Sequence, residues 1–386
     1  MLRVLMPALV ALANVTAAEE SAPFPNLPVD QLDSRSWGVE GGLPSADVFD
    51  LLQAQDGYLW IATNEGVARF DGVKFSVFDQ RNTPALGSNQ VRRLGESRDG
   101  TVWAGMKGGG LTAFRSGRHR RAEAIDVLDG QTVSAIFEDR DGVLWIGTDS
   151  GMWRAEGREF ARVQGAPETV LAIAEDLEGK LWLGGSSGLV VREGSELVAP
   201  GFDFSGTDGV TPEVKLLVAA RDGTLWIGTH GHGLFQVGGE VRRNILPNGR
   251  INVLYEDRSG EIWYAGTGGK LKRASSGGRK NASWLKQGVN CMTQDREGGL
   301  WLGSVGSPSG LRLLKAPHEA AFRPDGSIER PLETITRRNF WALSASAQSD
   351  STGVNDAAAG IFWNQDPDSV FHQSNADRLA PRYRCL

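Results

Sequence analysis

Apolar and polar residues along the chain follow a unit that returns every 37 to 44 residues, measured between successive tryptophans. Each unit contains an apolar segment, a polar turn mostly built on Asp-Gly or Glu-Gly, and a second, almost wholly apolar segment. The second segments hold Trp60, Trp103, Trp145, Trp182, Trp226, Trp263 and Trp301. A period of about 40 residues with strand and turn signals indicates a propeller or another repeat array.

The tryptophan segment does not alternate between apolar and polar positions, as Leu144-Trp145-Ile146-Gly147-Thr148 illustrates. Strands that are buried on both faces have this pattern. A small residue lies two positions after every tryptophan, and we expect the next sheet to approach closely there. These small residues are Ala62, Gly105, Gly147, Gly184, Gly228, Ala265 and Gly303.

A glycine-rich turn follows the tryptophan segment and leads into a third apolar segment, such as residues 66–70. A fourth segment is clearest at residues 74–78 and 159–163. The sequence therefore predicts an all-β fold, a seven-bladed β-propeller of four-stranded antiparallel blades. One blade cannot bury both of its faces, so a closed ring is the stable arrangement.

Closure of the ring needs a strand from a chain end, because the first full repeat begins near Ser45 and the seventh has three clear strands. We predict that residues 32–37 supply the outer strand of blade seven, and residues 319–323 are the alternative. The propeller domain is accordingly expected over residues 32–323.

The two ends of the chain have different patterns from the repeats. Residues 1–18 match a signal peptide, with Arg3 before a short apolar run and small residues at 15–18, and residues 19–31 read as an extended lead-in. Residues 324–386 lack the repeat and are expected to be a poorly ordered tail. No later segment is long and apolar enough to span a membrane, so a periplasmic or secreted location is expected.

The net charge of −6 and the pI near 5.6 argue against a nucleic-acid partner, which requires a basic face. The repeats resemble the two-component regulator propeller family. The resemblance rests on Trp37, Gly42-Leu43-Pro44, residues 55–63 and residues 66–72, and it extends over residues 32–315. It implies an extracytoplasmic sensor that signals through a histidine kinase or a diguanylate cyclase.

This sequence contains no membrane helix, kinase motif or cyclase motif after the repeats, and the pattern stops near residue 318. We therefore expect a truncated sensor without an output domain of its own, which would act through a membrane sensor kinase or cyclase. Its ligand is expected to be a small molecule or an oligosaccharide.

Candidate binding residues lie in the turns between the second and third strands, which should share one face of the disc. Loops held by a rigid scaffold often bind ligands. The candidates are Asn64, Glu65, Lys107, Asp149, Ser186, His230 and His232. The two histidines could hold a divalent metal, but a solvated turn is the favoured interpretation because no further ligands follow at metal spacing. No metal or cofactor is predicted.

The competing class is an enzyme, a lyase or hydrolase acting at the channel mouth, and a protein-interaction scaffold is a third class. No catalytic arrangement is readable. A tyrosine could act as a catalytic nucleophile, but three of the four tyrosines occupy framework positions of the repeat. They are Tyr58, Tyr255 and Tyr264. We therefore predict a non-enzymatic sensor. The prediction rests on these residues and not on the fold, because a fold alone does not determine function.

Overall fold

The protein is described from a computed structural model. The described residues are 32–115, 121–157, 159–194, 196–202, 205, 209–238, 241–246, 248–266, 269, 271–274, 288–306, 310–317, 321–322 and 328–329. The predicted signal peptide, the lead-in and residues 330–386 of the predicted tail lie outside them.

Seven antiparallel sheets follow one another along the chain, and each is built around one repeat. The first three are β2 (Val48–Gln53), β3 (Leu59–Thr63), β4 (Gly66–Phe70) and β5 (Phe75–Phe78); β6 (Val91–Glu96), β7 (Val102–Met106), β8 (Leu111–Arg115) and β9 (Arg121–Ala124); and β10 (Val133–Glu138), β11 (Leu144–Thr148), β12 (Gly151–Glu156) and β13 (Glu159–Arg162).

The fourth to sixth sheets continue this order. They are β14 (Val170–Glu175), β15 (Leu181–Gly185), β16 (Gly188–Glu193) and β17 (Glu196–Val198); β18 (Val214–Ala219), β19 (Leu225–Gly231), β20 (Leu234–Gly238) and β21 (Val241–Leu246); and β22 (Gly249–Glu256), β23 (Ile262–Gly266) and β24 (Leu271–Arg273). A short pairing of β19 with β22 joins the fifth and sixth sheets.

The seventh sheet combines both ends of the domain and closes the ring. Strands β25 (Val289–Gln294), β26 (Leu300–Ser304) and β27 (Leu311–Lys315) are completed by β1 (Asp33–Trp37), which pairs antiparallel with β27. The prediction that residues 32–37 supply this outer strand is confirmed. The alternative is wrong for its described residues, because β28 (Ala321–Phe322) pairs with β29 (Ile328–Glu329).

The first strands of the seven sheets are neighbours in a complete circle, from β2 through β6, β10, β14, β18 and β22 to β25 and back to β2. The seven-bladed propeller is therefore confirmed. Two short 3-10 helices, Val39–Gly41 and Asp126–Leu128, lie in connecting segments. None of the helices in the described part of the chain has the length and apolarity that a bilayer crossing requires.

The hydrophobic core lies between neighbouring blades, and the repeat tryptophans belong to it. Trp60 packs with Val91 of the second blade, Trp145 with Val170 of the fourth, and Trp301 with Val48 of the first. Each blade thereby buries its face against the next, since burial of apolar area is the main favourable term in folding.

The small residue after each tryptophan is placed where the sequence predicts. A Cβ added at Gly147 would lie 2.6 Å from the Val170 carbonyl oxygen, and one at Gly303 would lie 2.6 Å from the Val48 side chain. Both contacts are made with the next blade, so the close approach of sheets explains the glycines.

The glycines differ in the space around them, and this gives a first testable prediction. Gly147→Ala should lower the free energy of unfolding by about 1–3 kcal/mol, because the new methyl group meets backbone that cannot rotate away. Gly228→Ala is the matched control, since its nearest contacts are the side chains of Ile251 and Leu216, each at 3.1 Å. Equal melting temperatures for the two variants would contradict this account.

Arginines on the face of the Asp-Gly turns link five of the seven blades to the next blade. Arg98 donates to the Asp139 carbonyl oxygen at 2.7 Å, and Arg296 donates to the Gln55 carbonyl oxygen at 2.8 Å across the seam between blades seven and one. We call these residues the arginine belt; they are Arg98, Arg140, Arg221, Arg258 and Arg296.

Candidate functional site

A cavity of about 550 Å³ occupies the centre of the ring, and residues of all seven first strands line it. This is within the roughly 300–1,000 Å³ of typical small-molecule sites. Because the strands come from seven different repeats, any side chain that varies between repeats gives the cavity a different chemistry on each side.

Every first strand has the same irregularity, a β-bulge directly after its first valine or isoleucine. In blade one, for example, the register with the second strand shifts between Val48 and Asp50. A bulge leaves one residue out of the ladder and can redirect its side chain. The seven bulge residues all line the cavity, and we call them the bulge ring: Phe49, Arg92, Ser134, Leu171, Lys215, Asn252 and Asn290.

The bulge ring combines two cations, two apolar side chains and three neutral polar side chains. The guanidinium carbon of Arg92 lies 3.7 Å from the centroid of the Phe49 ring, which is a cation–π contact between blades one and two. Asn290 donates from Nδ2 to the Val48 carbonyl oxygen at 3.1 Å, so blade seven also contacts blade one here.

Among the charged residues that line the cavity, the cations Arg92, Arg93, Lys107, Lys215 and Arg250 outnumber the single acid Asp50. Burial raises the pKa of the Asp50 carboxyl, while the Arg93 guanidinium and the amides of Leu94 and Leu51 oppose that shift. Arg93 donates from Nε to the Ser134 carbonyl oxygen at 2.8 Å. The cavity is therefore positive although the whole chain is acidic.

Cys291 also lines the cavity, and its thiol is buried. Burial raises the pKa of this thiol well above its usual value, and the nearby Asp50 carboxylate adds to the shift. The thiolate is the reactive form of cysteine. Cys291 is accordingly a protonated, unreactive group at neutral pH.

Comparison with known protein families gives one match, to the two component regulator propeller model, at residues 42–65, 127–150 and 283–306. The first two segments contain the first strand, the Asp-Gly turn and the second strand of blades one and three. The chain carries two component regulator propeller repeats. The resemblance predicted from the sequence is confirmed. A comparison with curated proteins found no match.

Solved structures resemble these propeller repeats at the level of the fold. The extracellular domain of a hybrid two-component system protein of B. thetaiotaomicron has a TM-score of 0.62 and 20% identity, over 74% of this chain and 42% of that one. Virginiamycin B lyase of Staphylococcus aureus has a TM-score of 0.56 and 14% identity, over 74% of this chain and 99% of the lyase.

A third structure is PorZ, a surface component of the type-IX secretion system of Porphyromonas gingivalis, with a TM-score of 0.55 and 17% identity over 73% of this chain and 48% of PorZ. The chain thus spans less than half of the B. thetaiotaomicron extracellular domain and of PorZ, and nearly all of the lyase.

The predicted turn residues share one face of the propeller, beside the segments that enter the first strands. The Asn64 amide donates to Asp47 Oδ2 at 2.9 Å, and Asp149 Oδ1 accepts the Thr132 amide at 3.1 Å. Glu65 donates its backbone N–H to Thr63 Oγ1 at 3.2 Å, and Ser186 is exposed. Of the seven predicted residues, Lys107 lines the central cavity.

The two histidines of the blade-five turn are placed differently. His230 Nδ1 lies 3.1 Å from Glu213 Oε2, and His232 forms an isolated bridge with Gly249. In the part of the chain that the structure describes, no group of three His, Cys, Asp or Glu side chains is arranged to hold a metal ion.

The bulge ring was missed by reasoning from the sequence, although a signal for it exists. Each of its members lies eleven residues before a repeat tryptophan and directly after a valine or isoleucine. This position changes from phenylalanine to arginine, lysine and asparagine between repeats, while the framework of the repeat stays constant. Such variation indicates that packing does not determine the residue at this position. Aligning the seven repeats on tryptophan would have revealed it.

Proposed function

We propose that the chain is an extracytoplasmic sensing or interaction propeller of a two-component-type signalling system, and that its ligand binds in the central cavity. The observation that carries the proposal is the bulge ring, in which seven equivalent backbone positions hold six different side-chain types. Recognition of an asymmetric small molecule requires different side chains on different sides of the cavity, held by a rigid framework. The repeated blades supply the framework, and the bulge ring supplies the different side chains.

The family match supports the signalling part of the proposal, because the matched repeats are those of two-component regulators. The extracytoplasmic location rests on the signal-like residues 1–18 and on the extracellular origin of the fold neighbour in B. thetaiotaomicron. The output partner, under this proposal, is a membrane sensor kinase or cyclase.

A thermal-shift screen of the full mature chain tests the proposal, with sugars, oligosaccharides, amino acids, organic acids and metal ions as ligands. A ligand at 100 times its Kd should stabilise the protein by about 2.7 kcal/mol, which corresponds to a shift of several degrees. Asn252→Ala, in the bulge ring, should reduce the shift. Asp222→Ala, on an exposed turn of the opposite face, should leave it unchanged.

Two outcomes would replace the proposal. Turnover of a stabilising ligand, detected by mass spectrometry of the mixture, would favour a propeller enzyme of the lyase or hydrolase class. Absence of any stabilising small molecule, together with a macromolecular partner that binds the turn face, would favour an interaction scaffold.

A further inference from the structure

The two cations of the bulge ring belong to blades two and five, with two blades between them on one side and three on the other. Arg92 and Lys215 therefore face the cavity from nearly opposite directions. Each has an apolar member of the bulge ring beside it in the circle, Phe49 next to Arg92 and Leu171 next to Lys215. Two positively charged side chains with apolar surface between them complement a molecule that carries two negatively charged groups separated by an apolar part.

The Arg92 guanidinium keeps its hydrogen-bonding capacity for a ligand. It stacks on Phe49 and donates no hydrogen bond to any residue that the structure describes. Partial burial lowers the pKa of Arg92, and the adjacent Arg93 lowers it further, whereas Asp47 has a smaller opposing effect. An anion in the cavity would relieve this unfavourable placement of neighbouring cations.

The carboxylates nearest to these cations are engaged elsewhere. Asp47 accepts the Gly306 amide at 2.8 Å and the Asn64 amide at 2.9 Å. Glu213 forms a long ion pair with Lys215, at 3.7 Å between Oε1 and Nζ and so beyond hydrogen-bond distance, and its Oε2 lies 3.1 Å from His230 Nδ1. These acids therefore lower the positive potential of the cavity without occupying the Arg92 guanidinium.

Two further cations lie on the face where the first strands begin. Lys107 is in the turn after β7 and Arg250 is near the start of β22, and both are exposed and line the cavity. A cleft lined by one sign of charge attracts ligands of the opposite sign and raises their association rate.

We propose that the central cavity binds a small organic molecule with two acidic groups, one held by Arg92 and the other by Lys215. An apolar part of the ligand lies against Phe49 and Leu171, and Asn252 and Asn290 hydrogen-bond its neutral polar groups. This inference rests on the proposed function, since it names the chemical class of the ligand that the propeller recognises.

The test uses linear dicarboxylates from succinate to suberate, with the matching monocarboxylates and neutral diamides, titrated calorimetrically into the full mature chain. Ionic strength is held at about 0.15 M, so that screening is equal in all arms. At least one dicarboxylate should bind with one-to-one stoichiometry, tenfold or more tightly than its monocarboxylate, and the diamide should not bind. Inorganic sulfate and phosphate form a separate arm, and equal affinity for them would overturn the organic part of the proposal.

Arg92→Gln and Lys215→Gln should each weaken dicarboxylate binding about tenfold or more. Lys74→Gln is the matched control, because Lys74 is an exposed lysine beside the outer strand of blade one. Melting curves without ligand would reveal a folding defect in either bulge-ring variant. Because the two variants are independent, a defect in one leaves the other to test the proposal. Binding that survives both substitutions would overturn the proposal.

Failure of this inference can be separated from failure of the proposed function. A neutral ligand that stabilises the chain, loses affinity in Asn252→Ala and is indifferent to Arg92→Gln would overturn the dianion and keep the sensor. Absence of binding by every small-molecule class would overturn both.

Discussion

A chain that begins at Gly38, and so lacks β1, should melt about 10 °C or more below the intact protein. The deletion removes a five-residue ladder with β27 and exposes the apolar edge of blade seven. It also removes Trp37, whose ring stacks on Trp301 at 5.2 Å between centroids and meets Phe70 edge-on at 5.3 Å. Loss of about 4–5 kcal/mol is expected from the aromatic burial and the broken ladder, at roughly 2–4 °C for each kcal/mol.

The seam between blades seven and one explains why this strand matters more than other outer strands. Other contacts across the seam join single residues, for example Arg296 with the Gln55 carbonyl oxygen and Val48 with Gly303. Strand β1 differs from these contacts because it pairs within blade seven and is followed directly in the sequence by blade one. Opening the ring at the seam therefore requires β1 to detach first.

Trp37→Ala separates the aromatic contribution from the ladder, and it should lower the free energy of unfolding by about 2 kcal/mol, since Trp37 is only half-buried. Arg35→Ala, at an exposed position of the same strand, should change it by less than about 0.5 kcal/mol. Chemical denaturation of the three proteins measures these differences. A shortened chain with an unchanged melting temperature would show that the ring closes without β1.

The framework of the fold could be predicted because it depends on features that repeat. The tryptophans, the small residues after them and the Asp-Gly turns occur at fixed positions in each unit, and each has one local physical reason. The closing strand was predictable from the same regularity, because blade seven lacks one strand and residues 32–37 were left over.

The site was not predictable in the same way, because it depends on a departure from regular pairing. A β-bulge changes the register of one strand without changing the hydropathy pattern, so Arg92 and Lys215 read as ordinary strand residues. The turn residues were predicted to bind a ligand because they vary between repeats. The side chains of Asn64 and Asp149, however, form hydrogen bonds with neighbouring segments of the fold. Four acids that lie upstream of the turns hold these turns by accepting backbone amides; they are Asp139, Asp176, Asp257 and Asp295.

These acids do more than hold the turn, and Asp257 gives the second large expected effect. Its Oδ1 accepts the backbone amides of Ser259 at 2.9 Å and Glu261 at 3.0 Å, and its Oδ2 accepts the Trp263 indole N–H at 2.8 Å. Asp257 and Trp263 are both buried. Asp257→Ala should therefore lower the free energy of unfolding by about 3 kcal/mol, because a buried donor without its acceptor costs about 1–3 kcal/mol.

Asp222→Ala is the control for this substitution. Asp222 is an exposed turn residue whose Oδ1 accepts a single amide, that of Thr224 at 2.9 Å. Its loss should cost under about 1 kcal/mol, since solvent can replace the acceptor. Urea denaturation of both variants beside the parent protein measures the difference. A cost for Asp257→Ala no larger than that for Asp222→Ala would refute the buried indole contact as a source of stability.

Blade five shows why the Asp257→Ala protein should still fold. The position six residues before Trp226 is occupied by Ala220, which is buried, and the buried Trp226 indole nitrogen has no acceptor among the described residues. A blade can thus form without the acid, and the acid adds stability to a geometry that packing already determines. The reverse substitution, Ala220→Asp, places a carboxylate where four other blades have one, and it should raise the melting temperature by a few degrees. A lower melting temperature for Ala220→Asp would mean that the turn of blade five differs too much from the others to hold the carboxylate.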